Sequence, residues 1–108
     1  MTDACIVYVT VASVEEAAAI ADAVVGDRLA ACANILGDMQ SIFFWDGAVQ
    51  REGETAMILK TALPRLDALT ARIKTLHSYE EPCVVALPII GGSRSFIEWI
   101  DAETRASD

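Results

Sequence analysis

Ala30–Thr61 reads AACANILGDMQSIFFWDGAVQREGETAMILKT, two apolar-rich arms around one turn signal, Trp45-Asp46-Gly47-Ala48. Asp-Gly between such arms marks a tight β-hairpin, because both central turn positions need residues that tolerate positive φ. The first arm, Ala30–Trp45, would reach roughly 50 Å if straight. A chain of this length folds to a diameter of roughly 35 Å. The arm must therefore bend or overhang its own domain. Gly37-Asp38 is the expected bend or bulge, since glycine adopts bulge geometry at little cost. In the second arm, Gly53-Glu54 is expected to interrupt pairing before a solid strand, Thr55–Thr61. An overhanging ribbon that carries Ile42, Phe43, Phe44 and Trp45 needs a cover, and a neighbouring subunit is the expected one.

The flanks set the topology. Ala4–Val11 (ACIVYVTV) is a β-branched apolar run and reads as a central strand. Ser13 with Glu16 forms a capping box that opens a helix. Val14, Ala17, Ala18, Ala21, Val24, Val25 and Leu29 supply its apolar stripe. After the hairpin, a second helix starts near Leu63, with Pro64 in a first turn that needs no N–H. Its stripe is Leu66, Leu69, Ile73 and Leu76, and it ends near His77 because Pro82 and the polar run before it break the pattern. Cys83–Ile90 is a further strand, held to an edge by Pro88. Arg94–Glu103 is a short helix anchored by Phe96, Ile97, Trp99 and Ile100, and Thr104–Asp108 is a polar, frayed tail. The order β-α-β-β-α-β plus a terminal helix is the α+β, ferredoxin-like pattern, within one domain spanning residues 1–108. Right-handed crossovers put both main helices on one sheet face. The other face is left open and apolar, so self-association is expected.

Composition narrows the partners. The chain is 54% hydrophobic, enough for a core and a buried interface, and its formal charge is −8. That charge argues against nucleic acid and anionic membranes, which select basic patches. No apolar run approaches the ~18 residues of a membrane span. Asp3 stands where a signal peptide would carry basic residues. Cys5, Cys32 and Cys83 are odd in number and widely spaced, which fits reduced thiols and a cytoplasmic location.

His77-Ser78-Tyr79-Glu80-Glu81-Pro82 is the one polar cluster between apolar elements, and it holds the only histidine. It reads either as a site, with His77 as ligand or acid/base beside Glu80, or as an ordinary helix C-terminus where histidine suits the dipole. Metal spacing is sparse, with no HxxxH and no CxxC. Cys32 and Cys83 join a site only if the fold brings them to His77. Lys60 reads as a half-buried cation for an anionic ligand or as a strand-end lysine with its stem on apolar surface. Trp45 and Trp99 read as packing or interface anchors.

With these residues the chain resembles the CutA family of divalent-cation tolerance proteins. The resemblance rests on Arg28–Ile35, Ser41–Gly47, Ile58–Thr61, His77–Pro82, Ala86–Ile89 and Phe96–Ile100, collinear over nearly the whole chain. It implies a ferredoxin-like fold and a tight homotrimer, similar in architecture to the PII signalling proteins. It implies a non-enzymatic role in tolerance of divalent metals such as copper, with no cofactor required and copper(II) or another divalent cation as the ligand class. The intersubunit cleft implied has His77, Glu80 and Cys32 as metal ligands and Lys60, Tyr79 and Trp45 on its walls. Phe43, Phe44, Trp45 and Trp99 fall at the implied interface. Ser78 stands where the family usually has proline and Cys83 where it usually has glutamate. Of a copper set built on an early cysteine and adjacent histidines, only His77 carries over, since this chain has Val9-Thr10 and Leu76-His77. The alternatives are a PII-like sensor holding a small anionic ligand with Lys60 and Gly91-Gly92, an acid/base enzyme using His77 and Glu80, and a scaffold for partner proteins.

Overall fold

The computed structural model describes residues 2–105. Strand β1 (Ala4–Val11) leads to helix α1 (Val14–Gly26), the hairpin strands β2 (Cys32–Trp45) and β3 (Ala48–Ala62), and a 3-10 turn (Leu63–Arg65). Helix α2 (Leu66–Leu76), strand β4 (Val84–Pro88) and helix α3 (Arg94–Glu103) complete the order. The sheet is antiparallel, in the order β2-β3-β1-β4, which is the ferredoxin-like arrangement.

Alternation along β1 divides the faces. Cys5, Val7, Val9 and Val11 point to α1 and α2, where Met57, Leu59, Leu69 and Ile73 join them in the core. Ile20, outside the stripe read from the sequence, is buried at the centre of α1 with Ala17, Ala21 and Val24. Val14 stays exposed, because it lies in the first turn, before α1 reaches over the sheet. The Ser13 hydroxyl accepts the Glu16 N–H at 3.1 Å, as a cap should. The Glu16 carboxylate reaches back past the cap to the Ala12 N–H at 3.0 Å.

The hairpin is less interrupted than expected, and β2 starts at Cys32 rather than Ala30. Asp46 (φ 53) and Gly47 (φ 78) make the tight turn. Gly53 pairs opposite Gln40 and Glu54 opposite Met39, so β3 runs unbroken through the expected gap. The ladder tolerates Gly53 there because nothing packs on it that would need a side chain. The irregularity falls in β2, where Leu36 has no partner and Gly37 takes φ 98. With its overhang the molecule measures 44 × 26 × 22 Å.

β4 is shorter than the expected Cys83–Ile90 and lies at the sheet edge, its last partner pair being Cys5–Pro88. Pro88 offers no N–H on the outer side, which suits an edge strand, while the Ile89 N–H still donates to the Ala4 carbonyl at 3.1 Å. The second sheet face is not wholly open either. Ala4 and Ala31 pack there with Ile100, so α3 covers one end of it. Thr104, read as part of a frayed tail, is buried, and its hydroxyl donates to the Ile100 carbonyl at 2.8 Å. The rest of that tail, 106–108, lies outside the described residues.

Arg28 ties α3 to the end of α1. It sits at φ 61, and its guanidinium donates to the carbonyls of Glu103 (3.0 Å) and Ala102 (3.2 Å) at the negative end of α3. Arg28→Ala keeps the strained backbone and loses both bonds, so a loss of about 1 kcal/mol is expected from urea midpoints. Arg28→Gly should lose less, because glycine relaxes the left-handed conformation. Equal midpoints for wild type and Arg28→Ala would show that this clasp contributes nothing.

Candidate functional site

His77 closes α2 with an extended backbone, which turns its ring back beneath β1. Its side chain is fully buried. Nε2 lies 2.7 Å from the Thr10 carbonyl oxygen, and Nδ1 accepts the Tyr79 N–H at 3.1 Å. A carbonyl can only accept and an N–H can only donate, so Nε2 carries the proton and Nδ1 offers its lone pair. Both nitrogens are thus occupied within the fold. This corrects the reading of His77 as a free metal ligand or acid/base beside Glu80, which lies exposed on the loop outside.

The carboxylate that does meet this histidine is Glu16. It accepts the Ser78 N–H at 2.7 Å and the Ser78 hydroxyl at 3.1 Å, and lies 3.9 Å from His77 Nδ1. Glu16 therefore joins the end of β1, the start of α1 and the loop after α2. Burial pulls its carboxyl upward. The bonds from Ala12 and Ser78 and the neighbouring His77 outweigh that and hold it below its ordinary value of 4.5. A depressed folded value means that the stabilising contribution is complete above the unfolded value of 4.5 and is lost as pH falls through the folded one. Glu16→Gln should accordingly be less stable than wild type at pH 7, with the gap closing as pH drops below 4.5. Urea melts across that range check it, and a gap independent of pH would show that the charge of Glu16 is immaterial. Sequence reading found Glu16 only as a cap residue; its second partner is 62 residues away in the chain.

Beyond this knot, on the sheet face opposite α1 and α2, lies a concavity of about 710 Å³. Tyr8 and Thr10 of β1 form its floor, the hairpin forms one wall, and the loop from Tyr79 to Cys83 forms the other. Pairing with β3 decides which residues enter. Directly opposed residues share a face, so Met39 goes with Glu54, Ser41 with Glu52, Phe43 with Gln50, and Trp45 with Ala48. Alternation continued unbroken from Cys32 would have sent Met39, Phe43 and Trp45 to the other face. Phe44 points away and is 72% exposed, while Phe43 and Trp45 line the concavity. The Tyr8 hydroxyl donates to Met39 Sδ at 3.6 Å. Tyr79 is pushed up to about 12 by burial, by its hydrogen bond to and the charge of Glu54, and by Glu52 and Glu16. Burial also raises the Cys83 thiol; a hydrogen bond with Thr10 works against this and Glu54 adds to it.

Several expected members are elsewhere. Cys32 and Lys60 pair with each other and lie level with Ile6, four strand positions from Thr10 or roughly 13 Å. Cys32 is thus too far along the sheet to share a metal with the His77 region. The Lys60 ammonium bonds to Asn34 Oδ1 and sits 5.9 Å from the Phe96 ring centroid, so it faces α3 and not the concavity. Gly91 and Gly92 line a separate depression that Lys60 does not reach. Trp99, on α3, packs 5.4 Å from Phe96 and is 41% exposed. Among the described residues, no group of three or more His, Cys, Asp or Glu side chains is arranged to hold a metal ion. The donor set implied by the resemblance therefore does not form within one chain.

The profile of the CutA1 divalent ion tolerance protein family matches residues 5–103. The chain belongs to that family. The rice protein CutA 1, described as chloroplastic, is 42% identical over 94% of this chain and 58% of its own. The chain thus spans little more than half of that relative. A solved divalent cation tolerance protein from Thermus thermophilus superposes with TM-score 0.92 at 40% identity, over 94% of this chain and 99% of that one. The Archaeoglobus fulgidus CutA structure, described as periplasmic, gives TM-score 0.91 at 37% identity over 94% and 99%. Family members thus carry periplasmic and chloroplastic descriptions, which overturns the cytoplasmic location expected from three unpaired cysteines. Free thiols report on redox chemistry and carry no address. Among the described residues, no helix is long and apolar enough to cross a membrane.

Proposed function

We propose that the protein acts without enzymatic activity as a homotrimer in tolerance of divalent metal ions, copper among them. The observation that carries this reading is the overhanging hairpin. Ile42 (57%), Phe44 (72%), Trp45 (56%) and Val49 (62%) are exposed there, beyond the reach of the chain's own helices. Val85 and Leu87, on the opposite edge strand, are also exposed. Two apolar sheet edges on one chain favour head-to-tail pairing that closes into a ring. The non-enzymatic reading is supported by the sole histidine, whose ring nitrogens both hold the fold together. Any metal affinity then draws on carboxylates and thiols from more than one subunit. A sensor for small anions is disfavoured, because Glu52, Glu54, Glu80 and Glu81 line the concavity and Lys60 does not.

Light scattering of the metal-free protein tests the assembly, with a mass of three chains expected. Copper(II) titration by calorimetry in parallel should show saturable binding by the assembled form. A stable monomer that binds no copper would overturn the reading.

A further inference from the structure

We infer that His77 is a proton-operated latch on the loop that follows α2. The neutral ring holds the Tyr79 N–H; the protonated ring gives it up and takes the Glu16 carboxylate in its place. This goes beyond the metal reading and needs neither an ion nor a partner subunit. The loop depends on side chains for its hold. Among the described residues, no N–H or carbonyl of Ser78–Pro82 bonds to another backbone group. The Ser78 N–H goes to Glu16 and the Tyr79 N–H to His77 Nδ1, and the Tyr79 and His77 ring centroids lie 4.7 Å apart.

The two holds respond differently to a proton. Nε2 already carries one and gives it to the Thr10 carbonyl, so a second must go to Nδ1, the acceptor of the Tyr79 N–H. Two donors would then face each other, and the Tyr79 bond is lost. Nδ1 also lies 3.9 Å from a Glu16 oxygen, and a small turn of the ring makes that approach a charge-assisted bond. The same oxygen keeps the Ser78 N–H, because a carboxylate oxygen accepts more than one donor. Glu16 is the only carboxylate within ion-pair distance of the ring among the described residues. β1 faces the ring with the uncharged Thr10 carbonyl, the loop faces it with the neutral Tyr79 phenol, and Glu54 of β3 bonds to the hydroxyl of that phenol. The protonated state thus keeps α1 joined to Ser78 and frees the segment between Tyr79 and the buried Pro82, where water takes the Tyr79 N–H. Histidine is the side chain whose charge ordinarily changes between about pH 5 and 8. Glu16 is charged throughout that range, since its carboxyl is held below 4.5.

His77 is the only histidine, so every imidazole signal in a magnetic-resonance spectrum belongs to it. The test follows the ring nitrogens and the amide hydrogen exchange of the isotope-labelled full chain from about pH 8 to about pH 5. The Nδ1 signal is expected to move from that of a bare nitrogen to that of a protonated one. Opening at the Tyr79 amide should rise in step, by about tenfold per pH unit, the slope that one bound proton requires. The Val7 amide, inside the central strand β1, should keep its protection. Glu16→Gln removes the charge that receives the second proton and should move both changes to lower pH by about one unit. Ser78→Ala keeps the backbone bond to Glu16 and should leave both at the wild-type pH. A ring that stays neutral over the range, a ring that gains its proton with Tyr79 protection unchanged, loss of Val7 protection in step with Tyr79, or a transition unmoved in folded Glu16→Gln would each overturn the inference. The wild-type titration decides by itself if Glu16→Gln does not fold.

Discussion

His77→Ala is expected to lower the unfolding free energy by about 3 kcal/mol. The substitution removes a fully buried imidazole and strands two backbone groups, the Thr10 carbonyl and the Tyr79 N–H. Each unsatisfied group costs about 1–3 kcal/mol, and the void left by the ring adds to that. Water that enters beside the exposed Ser78 offsets part of the cost, which sets the figure at the middle of the range. Two conservative variants separate the two bonds. Asn can present an acceptor where Nδ1 was, and Gln can extend a donor toward the place of Nε2, so each should recover part of the loss. Urea midpoints for the three variants check the order Ala below Asn and Gln, both below wild type. A free ligand on a polar loop would behave differently, with His77→Ala within about 0.5 kcal/mol of wild type. Such a result would return His77 to the metal reading.

The same residue shows what was legible in the chain and what was not. That a helix ends at His77 follows from local signals, the preceding stripe and the proline after it. The direction of the ring does not, because its partners are Thr10, on a strand 67 residues earlier, and a loop N–H. Glu16 follows the same rule. Its role at the start of α1 is local and was readable, whereas its grip on Ser78 belongs to the tertiary fold. The Asp46-Gly47 turn was readable because turn chemistry is confined to adjacent residues. Gly53-Glu54 misled because local strand propensity is poor there, yet pairing with Gln40 and Met39 carries β3 across it. Reading Glu54 as a break concealed the most buried carboxylate on the concave face. The face that Phe43 and Trp45 take is fixed by their pairing with Gln50 and Ala48, which a count of alternating residues from Cys32 misses because Leu36 is unpaired.

That extra residue makes the second large prediction. Gly37→Val is expected to cost about 2–3 kcal/mol, since Gly37 sits at φ 98 and β-branched side chains are excluded from that region. No neighbour lies close enough for an added Cβ to clash, so the cost is backbone strain alone. Deleting Leu36 separates strain from register. Ile35 already faces Met57 and Gly37 already faces Ala56, so removal of the unpaired residue between them leaves every cross-strand partner in place. The ladder becomes regular, residue 37 moves to negative φ, and Met39, Phe43 and Trp45 keep their face. The deletion by itself should thus be milder than Gly37→Val. The two together should recover most of the Val penalty, because valine is favourable in a regular strand. Urea melts of the two single variants and the combined variant give the coupling, which should be favourable by about 2 kcal/mol. Trp45 emission should stay near the wild-type wavelength in the deletion. If the combined variant is no better than Gly37→Val, the bulge matters for the bend it gives the overhang, and strain at residue 37 is not what limits the hairpin.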